Sequence, residues 1–91
     1  MGLKYTTVCL GYQQITSLSS STALTVPSGA TRAIIISESQ SVRWRDDGTD
    51  PTASIGMLLP VLVTLSYDGD LTKIRFIQQT ASAILNVSYY A

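Results

Sequence analysis

Apolar and polar residues alternate along most of this chain, which is typical of β-strands with one buried face. Residues 61–67, VLVTLSY, alternate most clearly, and residues 83–90 alternate again before the chain ends. The pattern predicts eight short strands, at residues 4–12, 22–26, 31–37, 42–45, 57–59, 61–67, 73–78 and 83–90. No window has the 3.6-residue periodicity and capping residues of a helix.

Turn residues separate these runs at spacings typical of all-β domains. Pro27 to Gly29 and Asp46 to Pro51 are dense in turn formers, and Asp68 to Asp70 is the strongest hairpin signal, because Asp-Gly favours primed turns. We therefore predict that residues 1–91 form a single all-β domain. Its expected architecture is an antiparallel β-sandwich or a jelly-roll-like barrel of about eight short strands.

Three stretches carry more specific expectations. Residues 31–37, TRAIIIS, contain consecutive isoleucines, which predicts a strand buried on both faces, either in the middle of a sandwich or between two subunits. Residues 13–21 lack periodicity and are expected to form a hydroxyl-rich connection. Pro60 cannot donate a ladder hydrogen bond, so it is expected at a sheet edge, a bulge or a short turn.

Composition narrows the class of protein. Charged residues make up 13% of the 91 residues, with six basic against six acidic side chains, so no nucleic-acid or membrane-surface binding is expected. The single cysteine, Cys9, excludes a disulfide within the chain and is expected to be a small buried residue in a strand. No apolar run has the length of a signal peptide core or a membrane span.

Few residues offer catalytic chemistry. The chain has no His, which excludes Ser-His and Cys-His nucleophile systems, and its glycines stand singly, so no phosphate loop is expected. Asp46, Asp47 and Asp50 are interpreted as turn formers, because they lack the spacing of a calcium loop and the burial that a glycosidase acid requires. The sequence therefore predicts a protein that is not an enzyme and has no cofactor.

The stretch around Trp44 concentrates polarity as no other segment does. Arg43 and Arg45 flank Trp44 and precede two aspartates, so Arg to Asp pairs are expected within the chain or across a subunit boundary. Trp44 itself fits a core residue and an interface anchor equally well. The candidate interface residues are Arg43, Trp44, Arg45, Asp46, Asp47, Arg75, Tyr89 and Tyr90. The last two also suit a sheet edge or a sugar-stacking platform.

The succession VRWRDDGTDPTASIGM, LSYDGDLTKIRFI and LNVSYY, preceded by VPSGATRAIIIS, resembles small β-structured virion proteins of tailed bacteriophages. The resemblance covers residues 26–90. It implies a capsid decoration or cement protein that assembles into the virion in the host cytoplasm and bridges capsid subunits. The implied partners are the major capsid protein and further copies of the chain, with a trimer favoured.

Two alternatives remain within a virion. One is a tail-associated module that binds carbohydrate or another receptor, which Trp44, the terminal tyrosines and the acidic turns would suit. The other is a tail or connector component.

Overall fold

The computed structural model describes residues 7–91, which form eight antiparallel β-strands in two four-stranded sheets. The strands are β1 (Cys9–Ile15), β2 (Thr22–Ala23), β3 (Arg32–Glu38), β4 (Val42–Arg45), β5 (Met57–Leu59), β6 (Thr64–Tyr67), β7 (Arg75–Gln78) and β8 (Ile84–Tyr90). The sheets pack face to face as a sandwich and do not close into a barrel. The prediction of an all-β sandwich is confirmed, and the barrel alternative is not. In the described part of the chain no helix is long and apolar enough to cross a membrane.

The first sheet has the order β1-β8-β3-β6 and the second has the order β2-β7-β4-β5. Only the β4–β5 connection joins neighbouring strands of one sheet, and every other connection between these eight strands crosses to the opposite sheet. The last strand, β8, lies inside the first sheet and pairs with both β1 and β3.

Alternation builds the core as the sequence predicts. The inward row of β8 consists of Leu85, Val87 and Tyr89, each at most 1% exposed. Ile74, just before β7, and Phe76, on β7, were predicted to share one face of a strand. Both side chains are fully buried and pack against the β8 row from the second sheet. Burial of each such side chain contributes about 1.5–3 kcal/mol, so these rows hold the two sheets together.

Burial of residues 31–37 on both faces within the sandwich is contradicted, whereas their burial between two subunits stays a prediction. Ala33 and Ile35 are completely buried, whereas Ile34 and Ile36 on the other face are only half-buried. The reason is the two-layer architecture, in which the outer face of the first sheet has no third layer to cover it.

The strand predicted at residues 61–67 begins only at Thr64. Pro60 starts a short turn, as predicted, and the amide of Val63 donates to its carbonyl oxygen at 3.2 Å. Leu62 takes a left-handed conformation with φ of 65°, and its amide donates to the Ser37 carbonyl oxygen at 2.8 Å. This turn carries the chain from β5 in one sheet to β6 in the other, so the apolar residues before Thr64 lie outside the ladder.

The hairpin predicted at Asp68 to Asp70 is also wrong, because β6 and β7 belong to different sheets. The amides of Lys73 and Ile74 donate to the Asp70 carbonyl oxygen, which continues the turn beyond the Asp-Gly pair. Leu71 and Ile74 are buried in the core, and this burial draws the chain across to the second sheet.

The beginning of the chain departs from expectation in two ways. The strand predicted at residues 4–12 is displaced toward Ile15, with residues 4–6 outside the described part. The connection expected at residues 13–21 therefore begins with strand residues, and it buries Leu18. Cys9 is exposed rather than buried, because it starts the edge strand β1, where its side chain lies outside the core.

Candidate functional site

An open pocket of about 380 Å³ lies where β4 ends. Trp44 pairs in register with Met57, and Val42 pairs with Leu59 behind them. Val42 and Leu59 are core residues, so Trp44 and Met57 continue the same inward row past the point where the core covers it. We call this site the Trp44 pocket; its lining residues are Trp44, Arg45, Asp46, Asp47, Ile55, Gly56 and Met57.

The loop between β4 and β5 is tied down by Arg43. Its Nε donates to the Ala53 carbonyl oxygen at 3.1 Å and its Nη1 donates to the Gly56 carbonyl oxygen at 3.0 Å. Gly56 has a φ of 140°, and a Cβ there would lie 3.1 Å from the Trp44 carbonyl oxygen. A glycine is therefore needed at the wall of the pocket, where two backbones approach closely.

Asp46 is held by a tyrosine from the opposite sheet. The Tyr67 hydroxyl donates to Asp46 Oδ2 at 2.6 Å, and its ring meets Trp44 edge-on with centroids 5.9 Å apart. Burial and the bond to Asp46 raise the pKa of Tyr67 well above its usual range. Gly69 passes so close to the Tyr67 ring that a Cβ there would clash with the hydroxyl. The two sheets thus meet in an aromatic pair that orients one carboxylate.

The other two charges of the pocket neutralise each other. Arg45 donates from Nε to Asp47 Oδ1 at 3.0 Å and from Nη2 to Oδ2, a bidentate pair. These hydrogen bonds, with one from the Thr49 amide, lower the pKa of Asp47 to about 2, and they raise the pKa of Arg45. The pair therefore stays ionised at any ordinary pH. The expectation of an Arg to Asp pair within the chain is confirmed at this position.

The remaining arginine candidates serve local structure. Arg75 donates from Nη1 to the carbonyl oxygens of Thr72 and Ile74 at 2.9 and 3.0 Å, and Arg43 spans the loop described above. Both side chains bind backbone within the chain.

The terminal tyrosines are not brought together with Trp44 as one surface. Tyr89 is 1% exposed, and its hydroxyl donates to Gln13 Oε1 at 2.6 Å. Tyr90 is half-buried on the opposite face of its strand, where the Arg32 guanidinium lies 5.5 Å from the ring centroid. Only Tyr90 therefore retains surface for contact.

A second feature is a run of exposed apolar side chains that we call the apolar segment 55–63. Its exposed members are Ile55, Met57, Leu58, Val61, Leu62 and Val63, with Leu62 reaching 74% exposure. The segment covers the edge strand β5 and the turn that follows it. The sequence feature that marks this segment is Pro60, which interrupts the apolar run and prevents a continuous buried strand.

The acidic residues do not gather into a metal site in the part of the chain that the structure describes. No group of three or more His, Cys, Asp or Glu side chains there is arranged to hold an ion. Asp47 is engaged by Arg45, and Asp50 accepts a hydrogen bond from the Ser21 hydroxyl at 2.9 Å.

Comparison with protein-family models, curated proteins and solved structures gives no match to this chain. The features from which function can be inferred are therefore the Trp44 pocket and the apolar segment 55–63.

Proposed function

We propose that this protein is a non-enzymatic structural component of a bacteriophage virion, a capsid decoration protein that stabilises the head by bridging capsid subunits. The observation that carries the proposal is the apolar segment 55–63, which is exposed along one edge of a fully formed sandwich. The sequence resemblance to virion proteins of tailed phages supports the same assignment.

The segment has the chemistry of a contact surface. All six exposed side chains are apolar, and their exposure ranges from 39% at Val61 to 74% at Leu62. Exposed apolar side chains grouped in this way mark contact sites, and the segment would form part of an interface whose standard size is about 800 Å² on each partner. None of its members carries a charge, which suits the dry centre of a lasting contact.

A decoration protein acts by linkage. A module that binds assembled capsid subunits, and does not bind separated ones, stabilises the shell by a free energy that grows with the logarithm of its concentration relative to its Kd. Such a role requires a rigid fold and a contact surface. The buried rows of β7 and β8 supply the first and the apolar segment supplies the second.

The decisive experiment is the copy number of this chain in purified particles, measured by quantitative mass spectrometry against the major capsid protein. A decoration protein is expected in numbers comparable to the capsid protein. Absence from the particle would refute the proposal. A number far below the capsid protein would instead indicate the tail, where a receptor-binding module or a connector component belongs.

A matched pair of variants tests whether the segment makes the contact. Val63→Ser removes an exposed apolar side chain from the segment, and Val8→Ser removes one with similar exposure beside β1, at the opposite edge of the first sheet. We expect Val63→Ser to lower particle occupancy at limiting protein concentration and Val8→Ser to leave it unchanged. Equal occupancy for both variants would place the contact elsewhere.

A further inference from the structure

We propose that the Trp44 pocket binds a basic side chain, Lys or Arg, presented by a partner protein. This inference deepens the proposed function, since it names the group that the partner contributes beside the apolar segment. Ile55 and Met57 belong to both features, so one partner would meet the pocket and the segment together.

The walls of the pocket fit the stem of such a side chain. The indole of Trp44 is half-buried, and the exposed side chains of Met57 and Ile55 lie beside it. Long basic side chains pack their methylene groups along apolar surface of this kind and keep the charged head at a polar rim. The aromatic face of an indole adds attraction for a cation.

The charge of the pocket determines which sign of charge is favoured in the end group of the ligand side chain. Arg45 and Asp47 satisfy each other through two hydrogen bonds, which leaves Asp46 as one uncompensated negative charge in the lining. Tyr67 donates to Oδ2 of Asp46 and thereby fixes the carboxylate in place. A cation is therefore the complementary ligand. A sugar would need several free polar groups, and the bidentate pair engages both Arg45 and Asp47.

The test is a titration of the purified protein with Nα-acetyl-lysine methylamide and Nα-acetyl-arginine methylamide, both of which keep the charged side chain. Trp44 is the only tryptophan of the chain, so its fluorescence reports the pocket directly. The matched control ligand is acetyl-norleucine methylamide, which keeps the apolar stem and lacks the charge. We expect at least tenfold weaker binding of the norleucine compound, and weaker binding of the basic probes as salt concentration rises.

Three variants locate the interaction. Asp46→Asn is expected to lower the affinity for the lysine probe about tenfold, whereas Asp50→Asn, in the same acidic loop but outside the lining, leaves it unchanged. Arg45→Gln removes a positive charge beside the ligand and is expected to raise the affinity about fivefold. This gain distinguishes a cation site from a sugar or anion site, where loss of Arg45 would weaken binding.

Equal binding of the lysine and norleucine probes would overturn the proposal, and this comparison needs no variant. Binding of a methyl glycoside in preference to the basic probes would overturn it in favour of a carbohydrate site. Both results come from the isolated protein. The copy number in virions therefore tests the proposed function separately, and either proposal can fail alone.

Discussion

At the scale of single residues, the two buried tyrosines make the stability of the fold depend on pH. Burial raises the pKa of Tyr89 to about 12, and burial with the bond to Asp46 raises that of Tyr67 further. A phenol whose folded pKa exceeds its unfolded value of about 10 stabilises the fold fully below that value, and the stabilisation is lost as pH rises through the folded pKa. The protein is therefore sensitive to base through these two side chains.

We predict that the free energy of unfolding decreases as pH rises above about 10, by roughly 2 kcal/mol for Tyr89 alone once its folded pKa is passed. Urea unfolding at a series of pH values, followed by circular dichroism, measures this slope. Tyr89→Phe is expected to cost about 1 kcal/mol at neutral pH, since Gln13 loses a donor, and to make the slope shallower. An unchanged slope in this variant would contradict the assignment.

Gly56 lies where the wall of the Trp44 pocket leaves no room for a side chain. Gly56→Ala places a methyl group 3.1 Å from the Trp44 carbonyl oxygen and 3.2 Å from Pro51 Cβ, at a φ of 140°. We expect destabilisation by about 1–3 kcal/mol and a change in Trp44 emission, because the wall of the pocket must shift. Ala53→Gly, in the same loop, serves as the comparison and should affect emission little.

At the scale of the element, alternation predicted the strands that lie in the middle of a sheet. The inward rows of β7 and β8 follow from the sequence, since a one-residue slip would expose the whole set. Alternation failed at residues 61–63, where the pattern continues but the backbone turns. An apolar side chain on a turn and one on a strand look alike in sequence, and only the contacts with the opposite sheet distinguish them. The predicted interface residues include four that line the Trp44 pocket, namely Trp44, Arg45, Asp46 and Asp47. The contribution of Tyr67 was not predicted, because this residue reaches Trp44 and Asp46 from the other sheet.

In the turn after β5, the residue that would suit binding differs from the residue that would give the isolated fold its highest stability. Leu62 holds a left-handed conformation that disfavours any residue with a Cβ atom, and it is 74% exposed. Nothing in the isolated fold therefore rewards a leucine there. We predict that Leu62→Gly raises the free energy of unfolding by about 0.5–1 kcal/mol, as measured by urea titration.

Under the proposed function, the same variant is expected to lose occupancy on capsids, as measured by quantitative mass spectrometry of particles. Leu10→Gly provides the contrast, since Leu10 lies in the edge strand β1, at the register shift between Cys9 and Gly11, and has no positive φ for a glycine to relieve. This substitution should therefore destabilise the fold. Unchanged occupancy of Leu62→Gly would mean that the contact does not use this turn.

At the scale of the whole molecule, the order of the strands makes the fold depend on its last element. Since β8 lies between β1 and β3, removing it leaves two strands of the first sheet without their main partner. We predict that a chain ending at Ala83 does not fold, although seven strands remain. A synthetic peptide of residues 84–91 added in trans should restore a cooperative unfolding transition. Folding of the truncated chain alone, seen by circular dichroism, would contradict this.

The position of β8 also determines when the first sheet can be completed as the chain is synthesised. A growing chain emerges from the ribosome with β1 and β3 already complete, yet the strand that joins them is the last of the eight to appear. Until then the edges that β8 will cover are open to any extended segment nearby, including the same segment of a neighbouring nascent chain. Paired residues such as Gln13 and Val87 are also far apart in the sequence, so a large part of the chain must be enclosed before these contacts form, which slows folding further. The yield of native protein in the cell is therefore expected to depend on the interval between synthesis of β3 and insertion of β8.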